Sequence, residues 1–258
     1  MASTDRFGYE WDKYDFILPH YEEQFLKWVY PLQKEDFKGK KVLDAGCGMG
    51  RNSLWPLKYG AEKVVAFDAD ERSVKAARRN LSDFENAKVD FGDIYTYNPN
   101  EEFDIVFSIG VIHHLKDPKK ALQNLAKYVK PGGKLLIWVY GYEGNEWIVK
   151  YINPLRKYIF SKLPVNFVHI LAYIFSIPLY LYVKIFPQKR PYLKQLKGFT
   201  FKHIHSIVFD QLIPEIANYW TKEQALSLFE ELEGIKNVKI YPVNNLSWTV
   251  TGEKIESN

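Results

Sequence analysis

Lys41-Val42-Leu43-Asp44-Ala45-Gly46-Cys47-Gly48-Met49-Gly50-Arg51-Asn52 decides the fold of this chain. A short apolar run ends in an acid, three glycines alternate with other residues, and a helix-compatible stretch follows. That order predicts a buried parallel strand feeding a tight turn under a helix, a cradle for a nucleoside-bearing ligand. Glycine lets backbone approach a ligand where a Cβ would collide. The spacing is Gly-x-Gly-x-Gly, and Arg51 stands where a dinucleotide fingerprint would place its third glycine. A pyrophosphate favours bare N–H groups at a helix N-terminus. Asp44, directly before the turn, suits instead a ligand that carries positive charge.

Four further pieces follow in order. Val64-Val65-Ala66-Phe67-Asp68 is a second apolar run ending in an acid, about twenty residues past the turn, where a carboxylate takes ribose hydroxyls. Val89-Asp90-Phe91-Gly92-Asp93-Ile94 offers an acid for an exocyclic amine and an apolar neighbour for a purine. Phe103-Asp104-Ile105-Val106-Phe107-Ser108-Ile109 leads to Gly110-Val111-Ile112-His113-His114-Leu115, and Val129-Lys130-Pro131-Gly132-Gly133-Lys134-Leu135-Leu136-Ile137 is a turn into another buried strand.

This ordered set resembles the class I S-adenosylmethionine-dependent methyltransferases, closely over residues 40–140 and more loosely on the flanks. The resemblance implies an α/β fold: a Rossmann-like seven-stranded sheet with its last strand antiparallel, flanked by helices, with a helical insertion after the fifth strand. It implies S-adenosyl-L-methionine as cofactor. By position, Asp44, Gly46, Gly48 and Gly50, with Ala45 and Cys47 among them, would line the methionine part. Asp68 and Ala69 would meet the ribose, Asp93 and Ile94 the adenine, and Ile109 would close from the fourth strand. In similar proteins an aromatic N-terminal arm folds over the cofactor, which points to Tyr9 and Trp11; the bland alternative packs them on the sheet edge.

Four segments are expected: 1–38, an N-terminal arm and helix over the cofactor site; 39–140, the cofactor-binding core; 141–217, a basic, aromatic insertion; and 218–258, a helix and β-hairpin completing the sheet. Pro19 suits the first position of a helix carrying Phe25, Leu26 and Val29 on one face. Asp70 and Asp117 read as helix caps, and Thr221 with Gln224 as a capping box. Val238–Val243 and Ser247–Lys254, joined at Asn244-Asn245, read as the closing hairpin.

A length of 258 residues with 47% hydrophobic and 26% charged content fits a soluble domain with a sizeable core. The formal charge of +4 is too small to argue for nucleic acid, and none is expected. The lone cysteine, Cys47, excludes an internal disulfide and reads as a small turn residue. Asp5, Arg6, Glu10, Asp12, Lys13 and Asp15 interrupt any signal-peptide core, so a cytoplasmic location is expected. From Trp147 to Phe209 the character changes: ten lysines and arginines and no aspartate or glutamate, so removing those ten from +4 leaves −6 elsewhere. Within it, 163–183 carries no charged residue and is long enough to span a bilayer. Pro178, Asn166, His169 and the two flanking halves of one sheet argue against spanning. Two readings stay open: a lid packed on the catalytic body, or a peripheral contact of 147–209 with a membrane surface or lipid-like substrate.

Methyl transfer is an in-line displacement, so positioning dominates and a base is needed only if the acceptor must lose a proton. His113 and His114 are weak base candidates. His203 and His205 lack the partners of a zinc site, so no metal is expected. Asp210 reads as a pocket group or ion-pair partner. Tyr140, Tyr142, Glu143 and Asn145 follow the fifth strand and are the expected contacts of a small-molecule methyl acceptor. The alternatives are a NAD-dependent oxidoreductase, a non-catalytic binding module, and an enzyme acting on RNA or protein. Ser108-Ile109-Gly110-Val111 stands where base-methylating members often carry Asn/Asp-Pro-Pro-aromatic, which argues against amino-group methylation of nucleobases.

Overall fold

The computed structural model describes residues 2–14, 16–189 and 191–255, so Asp15 and Arg190, counted above among the charges, lie outside the described residues. In chain order the elements are α1 (Ala2–Lys13), α2 (Tyr21–Trp28), β1 (Lys41–Ala45), α3 (Leu54–Lys58), β2 (Lys63–Asp68), α4 (Glu71–Asn80), β3 (Ala87–Phe91) and β4 (Phe103–Ile109). Then come α5 (Pro118–Ala126), β5 (Val129–Tyr140), α6 (Asn153–Tyr158), α7 (Val165–Ile185), α8 (Pro191–Lys197), α9 (Phe201–Leu212), α10 (Lys222–Ser227), β6 (Ile235–Val243) and β7 (Ser247–Lys254).

The strands form one sheet in the order β3-β2-β1-β4-β5-β7-β6. The first five are parallel, and β7 runs antiparallel between β5 and β6. Period-two alternation puts apolar residues on both faces, as a doubly covered parallel sheet requires. Val42, Val64, Ala66 and Phe107 face α2, α3 and α4. Leu43, Val65, Phe67 and Val106 face α5 and α10. The strand order reverses between β1 and β4, and open α/β sheets place their ligand crevice at that point, outside the carboxyl ends of the strands.

The caps behave as the sequence indicates. Asp70 accepts from Arg72 N at 2.9 Å, Asp117 from Lys120 N at 3.1 Å, and Thr221 with Gln224 forms a reciprocal capping box. Two boundaries differ. The helix expected from Pro19 begins at Tyr21, because Pro19 occupies a turn closed by Tyr21 N donating to Leu18 O. The strand expected from Val238 begins at Ile235, because a bulge between Lys236 and Lys239, with Asn237 at φ 52°, interrupts its alternation. Asn244 and Asn245 both adopt positive φ in the hairpin turn.

The N-terminal segment and the insertion pack together over the sheet. Arg6 on α1 donates to three backbone carbonyls, Ile213 at 2.8 Å, Leu163 at 2.9 Å and Phe160 at 2.8 Å. These carbonyls lie around the ends of the insertion helices, so one guanidinium pins α1 to that layer. Tyr14 Oη meets His169 Nε2 at 2.8 Å, which ties the same arm to α7. α7 lies on α9 through Val168, Ala172 and Ser176, and Ser176 Oγ bonds His205 Nδ1 at 2.8 Å.

Candidate functional site

The carboxyl ends of β1, β2 and β4 open on a cavity of about 1690 Å³, roofed by α1 and the insertion. A small-ligand site is typically about 300–1,000 Å³, so there is room for two ligands side by side.

The floor is the glycine turn. Gly46 N and Cys47 N both donate to Phe67 O at 2.9 Å, which locks the turn after β1 against the tip of β2. Gly48 N donates to Asp68 Oδ2 at 2.9 Å and Asp70 N to Asp68 Oδ1 at 3.0 Å. Asp68 therefore stands with its carboxyl plane fixed by two backbone donors, and each oxygen keeps a lone pair for the cavity it lines. Gly48 has φ +54°, and the indole of Trp11 lies where its side chain would be, Nε1 being 3.0 Å from the position of a Cβ. No larger residue fits between the turn and the roof.

Of the residues singled out from sequence, Gly46, Cys47, Gly48, Asp68, Ala69, Asp93, Ile94, Ile109 and Trp11 line this cavity together. Others sit elsewhere. Asp44 is 1% exposed behind the turn, where its Oδ2 accepts from Ser53 Oγ at 2.6 Å. It lies beneath the wall, as does Ala45, because strand alternation turns both side chains into the layers below. Gly50 packs on Ala77 of α4 and on Leu81, which caps its end, setting how closely that helix approaches the turn. Tyr9 points into the roof, edge-on to His169 and Phe209. The expected arm over the site is thus a helix with Trp11 on its lower face and Tyr9 on its upper one.

The acceptor candidates divide likewise. Tyr140 and Asn145 line the cavity, but Asn145 spends its amide on Gly141 O and Leu246 O, bracing the rim. Tyr142 is exposed, and Glu143 accepts from Lys222 N outside the cavity. His113 is fully buried, stacked on Tyr140 at 3.7 Å, with neither ring nitrogen hydrogen-bonded. Burial holds it neutral, and it does not reach the cavity. His114 does line it, yet its Nδ1 donates to Ile216 O at 2.7 Å, and burial pushes its pKa down to about 3. A base with so low a pKa gains little from taking a proton at neutral pH. His203 bonds Tyr21 and His20, and His205 bonds Ser176, so both serve helix packing.

Three charged side chains complete the roof, two of them unforeseen. Arg51 lies against the rings of Tyr21, Trp28 and Trp11, 4.8, 5.3 and 5.8 Å from their centroids. Its place after the glycines is explained by this clamp: a cation over aromatic faces ties the turn to α1 and α2. Glu10 of α1 is 2% exposed and faces Asp210 of α9. Burial raises both carboxyls first; the charge of Asp210 raises Glu10 further, while Arg51, Arg156 and the hydrogen bond from Glu10 hold Asp210 back to about 6, so the two share a proton that Glu10 keeps. Glu10 was hidden in an ordinary run of N-terminal charges. Asp210 was visible as the acid that ends the anion-free stretch.

Gly8 sets how α1 approaches the core. A Cβ there would overlap the Asp70 carboxyl that caps α4. Gly8→Ala is expected to destabilise by about 1–3 kcal/mol, the cost of overpacking, read as a Tm lower by several degrees. An unchanged Tm would mean that α1 does not seat on α4 as described.

Residues 43–137 match the family described as a methyltransferase domain. The chain is 30% identical over 146 residues to a mitochondrial ubiquinone biosynthesis O-methyltransferase from Dictyostelium discoideum, 51% of this chain and 44% of that protein. It is 28% identical over 155 residues to a tRNA U34 carboxymethyltransferase from Helicobacter hepaticus, 56% of this chain and 48% of that one. The chain thus spans less than half the length of either relative, and the tRNA named for one of them leaves the expected absence of a nucleic-acid partner without support. Among solved structures, a magnesium protoporphyrin IX methyltransferase from Synechocystis, crystallised with S-adenosylhomocysteine, superposes with a TM-score of 0.54 at 14% identity, over 91% of this chain and 82% of that one. The matched stretch, the sheet order and the glycine turn braced by an acid on the neighbouring strand identify residues 43–137 as a methyltransferase domain, set in a seven-stranded sheet of the class I methyltransferase fold.

Proposed function

We propose that the chain transfers a methyl group from S-adenosylmethionine to a small, largely apolar acceptor held in the same cavity. The observation that carries this reading is the hollow itself: it begins at Asp68 and the Gly46–Gly48 turn and continues, about 1690 Å³ in all, under the insertion. When bound, S-adenosylmethionine supplies an activated methyl group on a sulfonium. Gly46, Cys47 and Gly48 would flank its amino-acid part, Asp68 would accept from its ribose hydroxyls, and Asp93 and Ile94 would meet the base. The fit rests on the bare backbone at Gly48, the free lone pairs of Asp68 and the engagement of the Arg51 cation by aromatic rings.

The remaining space supports the acceptor class. Trp138, Tyr140, Leu155, Phe175, Leu179 and Phe199 contribute to its wall. Such walls gain by taking apolar surface out of water and hold an acceptor against the transferable carbon, the main contribution an enzyme makes to this reaction. Arg51, beside the shared-proton pair of Glu10 and Asp210, gives the roof polar anchors for a hydroxyl or other proton-bearing group. Contact of 147–209 with a membrane surface belongs to the same reading, since a lipid-like acceptor would arrive from there.

The expected result is a rise in Tm with S-adenosylmethionine or S-adenosylhomocysteine, because a ligand that binds only the folded state stabilises it; at 100 times Kd the gain is about 2.7 kcal/mol. NAD should give none. No shift with either adenosyl ligand at millimolar concentration, for protein that melts cooperatively, sinks the reading. The second reading, a tRNA acceptor, is favoured only by the names of relatives such as the one above. Labelled methyl groups recovered in an RNA fraction rather than in an organic extract would select it.

A further inference from the structure

Helix α7 carries a feature that the methyl-transfer chemistry does not use. Its inner face, Val168, Ala172, Ser176 and Val183, is buried. Its outer face is a stripe of Phe167, Ile170, Ile174, Ile177, Leu181 and Ile185 at three- and four-residue spacing, each between 46% and 67% exposed. A helix on a water-facing surface carries polar residues there. A contiguous exposed apolar patch of this kind marks an interaction surface. Tyr151, Tyr158 and Ile159, before α7, and Phe186, after it, extend the exposed apolar surface.

The charges flanking the stripe are of one sign. Lys150, Lys157, Lys162, Lys189, Lys194, Lys197 and Lys202 are all exposed, and no acid occurs from Trp147 to Phe209. Lys150 and Lys157 lie beside Tyr151 and Tyr158, so cations and aromatic rings are interleaved. Apolar side chains flanked by lysines match the headgroup boundary of an anionic bilayer, where the stripe enters the acyl region and the cations meet phosphate. A second copy of this chain is a poor occupant, since stripe-on-stripe contact would bring lysine rims together.

Spanning is excluded by connectivity. β5, before the insertion, pairs with β7, after it, and α7 remains packed on α9 and bonded through His169 to Tyr14, just after α1. We infer that α7 is an in-plane docking helix, by which the protein binds the surface of an anionic lipid bilayer with the cavity mouth close to the lipid. Phe175 and Leu179 of the same helix line that cavity, so docking places its apolar wall next to the acyl chains.

The test is co-sedimentation of the full chain with vesicles of phosphatidylcholine alone and of phosphatidylcholine with a third phosphatidylglycerol, at low and high salt. Binding to the anionic vesicles is expected to exceed binding to the neutral ones at least tenfold and to weaken with salt. Ile170→Asp with Ile174→Asp should lose binding at least tenfold while leaving the ligand-free Tm unchanged, since both side chains already face solvent. Lys157→Glu with Lys162→Glu should lose binding to anionic vesicles selectively. No binding to anionic vesicles, or equal binding by the Ile170→Asp, Ile174→Asp variant, overturns the inference. So does a dimer in sedimentation velocity that the same aspartates dissolve, which would give the stripe to a second copy. Vesicle binding is read without cofactor or turnover, so its outcome is separate from that of the proposed methyl transfer.

Discussion

Asp68→Ala is expected to weaken S-adenosylhomocysteine binding about 100-fold, or about 2.7 kcal/mol, measured by calorimetry. The size follows from what the carboxylate offers. It is the acid on the cavity floor whose plane is fixed by two backbone donors, Gly48 N and Asp70 N, leaving one free lone pair on each oxygen. Hydrogen bonds to a charged acceptor contribute about 1.5–3 kcal/mol each, and preorganisation means little is lost in aiming them. Truncation also frees Gly48 N, so the turn loses the brace that holds it under Trp11. Asp68→Asn separates the two effects. An amide keeps one oxygen for Gly48 N but loses the charge and one acceptor, so a loss of about tenfold is expected, with the ligand-free Tm close to that of the parent. If Asp68→Ala binds within threefold of the parent, the ribose is held elsewhere and the floor described here is not the cofactor floor.

How much of this was legible follows from the range of the forces involved. The sheet was, because its strands are doubly buried and announce themselves as short apolar runs with turn chemistry between them. The floor of the site was largely legible for the same reason: Asp68 ends β2 and Gly46 and Gly48 lie in the turn after β1, where the fold fixes the geometry. Asp44 shows the limit. Its motif position suggested a wall residue, but alternation along β1 turns it behind the turn, onto Ser53. Residue type gave the strand tip and could not give the direction of the side chain. The roof was legible only in part: Trp11 and Asp210 stood out, whereas Glu10 and the pairings that hold the roof together did not. Arg6 reaches Phe160 and Ile213, and Glu10 reaches Asp210, across more than 150 residues of chain, and neither propensity nor periodicity carries such pairings. His113 illustrates the same gap from the other side. As part of a His-His pair beyond a strand it resembled a base, whereas the structure stacks it on Tyr140 with no access to the cavity. Composition did better than motif in the insertion, where the lack of acids and the apolar run preceded any knowledge of which face of α7 would be left bare.

Cofactor binding is expected to release protons between pH 6 and 7, more for S-adenosylmethionine than for S-adenosylhomocysteine. Burial lifts Asp44 to about 7; the Ser53 hydrogen bond pulls it back, and the charge of Asp68 adds to the rise. Asp68 is lifted to about 6, again by burial first, against the lowering effect of the Gly48 and Asp70 N–H groups. Both are therefore partly protonated across that interval when the site is open to water alone. A cation close by favours the ionised form of a carboxyl, and so do hydroxyls donating to it. The sulfonium supplies the first effect and the ribose the second; the demethylated product keeps the ribose and lacks the sulfonium charge. The sign follows from linkage: protons present in the free protein and absent in the complex make affinity rise with pH, through about 6 to 7, and level off above. Stability of the ligand-free protein runs the other way for these two groups. Their raised values contribute stability that is present below the unfolded value of about 3.8 and is lost as pH rises through 6 to 7, so the ligand removes a strain that neutral pH imposes. Calorimetry in two buffers of different ionisation enthalpy measures the protons directly. Asp44→Asn should abolish the part of the release centred near pH 7 and leave the Asp68 part in place. Heats that do not depend on buffer anywhere in the interval, or equal release with both ligands, would mean that the positive sulfur does not sit near these carboxyls, and the orientation assigned to the cofactor would have to be reversed.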